Sequence, residues 1–476
     1  MIFSSVIFIF YFLPVFLLGY YVSGWRTGML LAGSVAFYVW GEGGYVFLLA
    51  ALIGLNFASA RVVDRVPLGA RRRVLIAATI TLDLGVLAVF KYGGFLARNL
   101  NDLLPGDPIP VLKLILPLGI SFFTFQLISY VIDVARGAVK AEADLTRFAA
   151  YILMFPHLIA GPIVRYADIR EEMHADRRTT THRGLGVQYF IVGLCQKVLV
   201  ANTVAPLADY AFGLPATGLD VATAWLGALA YALQIYFDFC GYSNMAIGLA
   251  FLLGFTYPKN FNYPYAARSI TEFWRRWHIS LSSWFRDYVY IPLGGNRGGR
   301  AATVRNLLIV FFLTGLWHGA AWSFIVWGLY HGAFLMLERF GLARGLERIP
   351  RLARHGYALL VVLVGWVFFR ATSLGAAVDY LAAMFAPTTA WRGNVDLLVQ
   401  LNAEVVAALG LGAILSFPVL PRLLNRWRAP RVEPDLAVAD TRAVHVLPVA
   451  LLIVGLGLSV AHLASSSLNP FLYFRF

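Results

Sequence analysis

Long apolar runs separated by short arginine-bearing loops set the pattern of this chain. "VIFIFYFLPVFLLGYYV" lies near the start, and "VLIAATITLDLGVLAVF" follows three consecutive arginines. "LLVVLVGWVFF" and "VLPVALLIVGLGLSVA" come late. Runs of roughly 17 to 25 apolar residues cross a bilayer as helices, so the pattern predicts an all-α polytopic membrane protein with about ten to twelve spans. The first run is read as a membrane helix, because no positive region precedes it and no small-residue cleavage site closes it before Arg26.

The loops orient the spans. Arg26 follows the first helix and Arg61, Arg65, Arg71, Arg72 and Arg73 follow the third, whereas "GEGG" between helices two and three has no basic residue. Cytoplasmic loops collect arginine and lysine, which places the N-terminus outside. "NLNDLLPGDPIP" is then an outside loop, and "REEMHADRRTTTHRG" a cytoplasmic one.

Two stretches depart from the pattern. "FAAYILMFPHLIAGPIVRYADI" is apolar but holds Pro156, His157, Gly161 and Pro162. Proline breaks a helix, and irregular backbone at membrane depth survives only where protein or a cavity satisfies it. A re-entrant element is expected there. From "TYPKNFNYPYAARS" to "IPLGGNRGGR" aromatics, prolines, glycines and arginines alternate, and nothing spans cleanly. Within it Ser269 and Glu272 have capping-box spacing. Phe273, Trp277, Leu281 and Trp284 then recur at helical spacing, with Arg275, Arg276, Ser282 and Ser283 on the other side. That predicts one amphipathic helix, suited to a membrane interface or a cavity wall.

Composition agrees. Of 476 residues 59% are hydrophobic and 13% charged, with a mean hydropathy of +0.70; soluble proteins carry about 25% charged residues. The net charge of +14 belongs to the loops, and no nucleic-acid partner is inferred from it. Cys195 and Cys240 both lie in apolar segments, as free thiols would. A P-loop, a dinucleotide fingerprint and a zinc-protease motif are all absent. Residues 1–476 are taken as one membrane-embedded domain.

Ionisable groups inside membrane segments are costly and mark function by default. His318, in "LTGLWHGAAW", is flanked by Gly315, Gly319, Ala320 and Ala321, so a helix or a ligand can approach it. His278 sits in the Trp- and Arg-rich stretch "ITEFWRRWHISLSSWF". His331 and His157 read as hydrogen-bonded structural histidines or as helpers. Asp238, with Gln234, Tyr242, Ser243 and Asn244 nearby, reads as a proton or ion site, a structural network or an orienter of a catalytic histidine. The "GGNRGG" loop carries Arg297; beside Lys259, Arg268, Arg275, Arg276 and Arg300 it forms a candidate site for a polyanionic ligand.

"YFDFCGYSNMAIGLAFLLGF", "NFNYPYAARSITEFWRRWHISLSSWFRDYVYIPLGGNRGG" and "LTGLWHGAAWSFIVWGLYHG" resemble the membrane-bound O-acyltransferase family. The resemblance covers most of the chain, is densest from Gln234 to Gly332, and marks a signature core of about 115–340. It implies that His318, in its W-H-G setting with Trp317, is the family's defining histidine. His278, 40 residues earlier, is the second polar position, with Asp238, Tyr242 and Asn244 in support. It also implies helices around a central tunnel in a bacterial inner membrane, and acetyl-CoA as acyl donor held by Lys259, Arg268, Arg275, Arg276 and Arg297. No metal is expected. The acetyl group would pass to a periplasmic or membrane-anchored partner protein, for O-acetylation of alginate or a similar exopolysaccharide. Two rivals stay open: D-alanyl transfer to teichoic acid from a carrier-protein thioester, and secondary transport, which broken helices and Asp238 would suit.

Overall fold

The computed structural model describes residues 2–112, 114–175, 180–386, 395–419, 449–465 and 472. Residues 176–179 of the expected cytoplasmic linker and 446–448 of the last apolar run lie outside the described residues. Every regular element among the described residues is helical. Six stretches are long and apolar enough to cross a membrane: Tyr45–Arg65, Ala70–Asn101, His182–Gly213, Val221–Leu253, Gly299–His318 and Arg351–Arg370. Phe8–Val22, Leu374–Phe385, Ala403–Leu415 and Val449–Ser465 are shorter apolar helices. The chain divides into two compact units, residues 1–190 with 245–258, and 191–244 with 259–476.

The first unit opens with α1 (Leu13–Val22), α2 (Arg26–Glu42), α3 (Tyr45–Arg65), α4 (Ala70–Asn101) and α5 (Ile120–Arg136). Asn56 of α3 donates to Asp83 of α4 across 2.9 Å, both residues being buried. The proline-bearing segment that follows is broken, into α6 (Leu145–Leu153), α7 (Phe155–Leu158) and α8 (Tyr166–His174). Asp144 caps α6 through the amides of Thr146 and Arg147, and residues 150–164 are buried throughout. His157 makes a 2.8 Å hydrogen bond to the Tyr151 carbonyl within this break. Gly119, at φ 77°, enters α5 where a Cβ would sit 2.2 Å from the Leu158 carbonyl oxygen. A side chain there would push α5 and α7 apart.

The second unit holds the end of α9 (Thr180–Cys195), a π-helical turn at Gln196–Asn202, α10 (Thr203–Gly213) and most of α11 (Val221–Leu253). After an irregular stretch come α12 (Ile270–Trp274), α13 (Ile279–Phe285), α14 (Gly299–His318) and α15 (Trp322–Leu337). Then follow α16 (Ala343–Glu347), α17 (Arg351–Arg370), α18 (Leu374–Phe385), α19 (Val395–Gln400), α20 (Ala403–Leu415) and α21 (Val449–Ser465). α14 and α15 pair closely as a hairpin. A Cβ on Gly315 would lie 2.4 Å from the Phe324 carbonyl oxygen, and one on Gly328 would lie 2.2 Å from that of Phe311. Small residues let membrane helices touch backbone to backbone. The room that glycines leave beside His318 is therefore filled by the chain's own next helix.

The amphipathic helix expected over residues 269–285 is not continuous. It breaks at His278, which adopts a left-handed conformation (φ 44°, ψ 56°) between α12 and α13. Tertiary hydrogen bonds compete successfully with the helix here: the Asn262 amide donates to the Arg276 carbonyl, and the Ile279 amide to the Asn260 carbonyl, each at 2.9 Å. Phe273, Trp274, Trp277 and Trp284 are all buried. The aromatic face thus packs into protein.

Candidate active site

α14 ends at His318, and Gly319 leaves the helix in an extended conformation. The His318 side chain is buried in an aromatic box. Its ring centroid lies 4.9 Å from Trp317, 4.9 Å from Trp327 of α15 and 5.0 Å from Phe369 of α17. His278 is fully buried, edge-on to Phe239 of α11 at 4.7 Å. Trp317 contacts both imidazoles, with its centroid 5.9 Å from that of His278. One indole is therefore in ring contact with both of the histidines that the sequence singled out.

The His278 ring is oriented by a residue that pattern reading passed over. Asn260 Oδ1 lies 2.9 Å from Ser280 Oγ, 3.4 Å from the Ser280 amide and 3.1 Å from His278 Nδ1. The amide is an obligatory donor, and Asn260 Nδ2 donates to Ser243 Oγ at 3.1 Å, so the oxygen of Asn260 faces His278. Assigned from this network, Nδ1 carries the proton and Nε2 a lone pair. Among the described residues Nε2 has no hydrogen-bond partner. A backbone of "KNFN" leading into an aromatic segment offers no periodic signal that would have marked Asn260.

The other expected residues scatter. Asp238, 2% exposed, pairs with fully buried Lys197 at 2.5 Å and accepts from the Leu472 amide at 2.8 Å. These contacts place Asp238 in a buried polar network. Asn244 donates to Gln196 Oε1 at 2.7 Å, while Tyr242 is buried along α11. His331, expected to be hydrogen-bonded if structural, has no partner for either ring nitrogen among the described residues. It is enclosed by aromatic rings instead, with Trp274 and Trp327 each at 5.3 Å and Tyr330 at 5.4 Å.

The basic candidates divide by exposure. Arg275, Arg297 and Arg300 are exposed, whereas Lys259, Arg268 and Arg276 are half-buried. Arg276 holds Glu272 at 2.8 Å and also donates to the Asn262 carbonyl. Burial opposes charge on Glu272, but the Arg268 amide and the Arg276 guanidinium outweigh it and hold the carboxyl below its ordinary range. The charge of Arg276 is thus largely committed locally, which leaves Arg275 and the Arg297 loop as the open cationic surface. A cavity of about 240 Å³ beside the end of α10 is lined by Phe212, Arg370, Asp379 and Tyr380 and by neither candidate histidine.

Membrane helices enclosing two buried imidazoles, one of them oriented by Asn260 with its Nε2 left as an acceptor, fit a membrane-embedded group-transfer enzyme. The profile of MBOAT, the membrane-bound O-acyltransferase family, matches residues 138–374. "Probable alginate O-acetylase AlgI" of Azotobacter vinelandii is 41% identical over 100% of both chains, and that of Pseudomonas aeruginosa is 40% identical, again over 100% of both. The peptidoglycan O-acetyltransferase of Helicobacter pylori is 35% identical over 81% of this chain and 80% of its own. The chain belongs to the membrane-bound O-acyltransferase family, and it is an acyltransferase of the membrane.

Proposed function

We propose that the protein moves acetyl groups from cytoplasmic acetyl-CoA across the inner membrane for O-acetylation of an extracytoplasmic polysaccharide. Alginate is the first candidate, because the full-length relatives are named for it. A periplasmic or membrane-anchored partner receives the group and completes the transfer. His318 takes the proton of the acceptor hydroxyl; the oxygen attacks the thioester carbonyl, the C–S bond breaks, and the thiolate of CoA leaves and is protonated. An imidazole suits that task near neutral pH, and a buried aromatic box protects the thioester from hydrolysis. With Nδ1–H committed to Asn260, neutral His278 presents only an acceptor. It therefore orients the donor by accepting from an amide N–H of the pantetheine arm, rather than by polarising the carbonyl. Arg275 and Arg297, with Lys259, Arg268 and Arg276 around them, attract the phosphates.

The single observation that carries this reading is the pair of buried histidines that share a ring contact with Trp317. About ten to twelve spans around a tunnel, with a periplasmic N-terminus and a signature core of about 115–340, complete the proposal; the six long and four shorter apolar helices support it. His318→Ala should abolish acetyl transfer from radiolabelled acetyl-CoA while the protein still accumulates in the membrane; retained transfer would remove His318 from the mechanism. Offering an acyl-carrier-protein thioester beside acetyl-CoA separates this reading from D-alanyl transfer. Substrate flux without acetyl incorporation would favour a transporter.

A further inference from the structure

Glu338 lies one residue beyond α15 and is 2% exposed. Its carboxylate accepts from the Ile270 amide at 2.6 Å, the Thr271 amide at 2.8 Å, Thr271 Oγ1 at 2.6 Å and the Tyr357 hydroxyl at 3.1 Å. Four donors converge on one buried carboxylate, which is how a protein holds a charge away from water. Ser269 caps the same turn through the Glu272 amide at 3.0 Å. The segment being gripped is α12, and eight residues after Ile270 the chain reaches His278. The gripping helix, α15, starts four residues after His318 and carries Trp327 against its ring. Between these points the two arms touch again, where His331 of α15 meets Trp274.

We propose that Glu338 is a positioning residue for acyl transfer: it locks the arm that ends at His278 onto the helix that follows His318, and so fixes the register between the two imidazoles. The inference rests on the function proposed above, and goes beyond it by assigning to a distant carboxylate the geometry of the pair. Packing alone does not need a charge here. A carboxylate offers acceptors on both oxygens; glutamine, equal in size, turns an NH₂ toward two donors.

The test uses the full-length protein in nanodiscs, with acetyl transfer, thermal stability and hydrogen exchange of residues 268–280 read on the same samples. Glu338→Gln should lower kcat about tenfold or more, since small misplacements of reacting groups cost that much. KM for acetyl-CoA should change far less, and exchange of the Ile270 and Thr271 amides should rise. Thr271→Val removes one donor at nearly constant volume and should lower kcat about threefold, the scale of one lost hydrogen bond. An unchanged kcat in Glu338→Gln would overturn the proposal. So would a loss that disappears when the assay is run well below the melting temperature, because the carboxylate would then serve stability only. If Glu338→Gln does not accumulate, the same two criteria apply to Thr271→Val. A wild type without transfer activity would instead defeat the functional reading, and the exchange data would still report whether the clamp exists.

Discussion

Removing the ammonium of Lys197 while keeping its volume, as Lys197→Met does, should cripple the stability of the second unit. The side chain is fully buried, and its Nζ lies 2.5 Å from Asp238 Oδ1. Coulomb attraction at that 2.5 Å separation, with an effective dielectric of about 20, is on the order of 7 kcal/mol. Desolvating each ion costs several kcal/mol, so the net worth of the pair is small. Losing one partner is different, because the other charge remains buried. That loss is about 3–5 kcal/mol for either Lys197→Met or Asp238→Asn. The double variant removes both charges and keeps an acceptor for the Leu472 amide. It should recover about 2 kcal/mol or more of the summed loss, since isosteric replacement of a buried pair is often neutral. Equilibrium unfolding in mixed micelles, followed by tryptophan fluorescence for the wild type, both singles and the double, measures the cycle. Additive losses would refute the pairing. Acetyl transfer by the double variant is the second readout: a structural Asp238 predicts that activity survives, whereas a proton- or ion-carrying Asp238 predicts that it does not.

Two further outcomes follow from the geometry. Asn260→Leu removes the oxygen that accepts from His278 Nδ1 and from the Ser280 amide; kcat should fall about tenfold or more, as when a histidine loses its tautomer-fixing partner, and undiminished kcat in a folded variant would dissociate Asn260 from the reaction. In the first unit burial opposes charge on Glu142, but hydrogen bonds from the Tyr166 hydroxyl and the Asp144 amide, with Arg147 and His174 nearby, hold its carboxyl below the usual 4.5. A depressed carboxyl stabilises the folded state above its unfolded value, and that contribution is lost as pH falls through the folded one. Melting temperatures should therefore drop more steeply below pH 4.5 in the wild type than in Glu142→Gln; parallel curves would show that Glu142 is not linked to folding.

What could be read from the sequence follows the range of the forces involved. Hydrophobic length is a local property, and the prolines at 156 and 162 announce a break wherever they stand, so membrane helices and the fractured 145–174 segment were both visible. His318 and His278 stand out in the sequence because motif and chemistry coincide there, and both are buried against Trp317. Periodicity, though, counts faces and not competitors. It could not see that the amides and carbonyls around His278 are taken by residues 260–262, which turns one helix into two and hides Asn260, the residue that sets the imidazole's tautomer. Small residues around His318 signalled close approach, but not by what; α15 of the same chain proved to be the neighbour. Glu338 is the sharpest case. It heads the basic stretch "ERFGLARGLERIPRLARHG", where loop composition makes it one more solvated charge. Its donors lie 67 and 68 residues upstream and 19 downstream, a pairing that only the folded chain creates. A charge whose partners are backbone amides leaves no complementary residue in the sequence to be found. Such carboxylates should therefore be sought in the structure wherever a short helix begins at the edge of a reactive site.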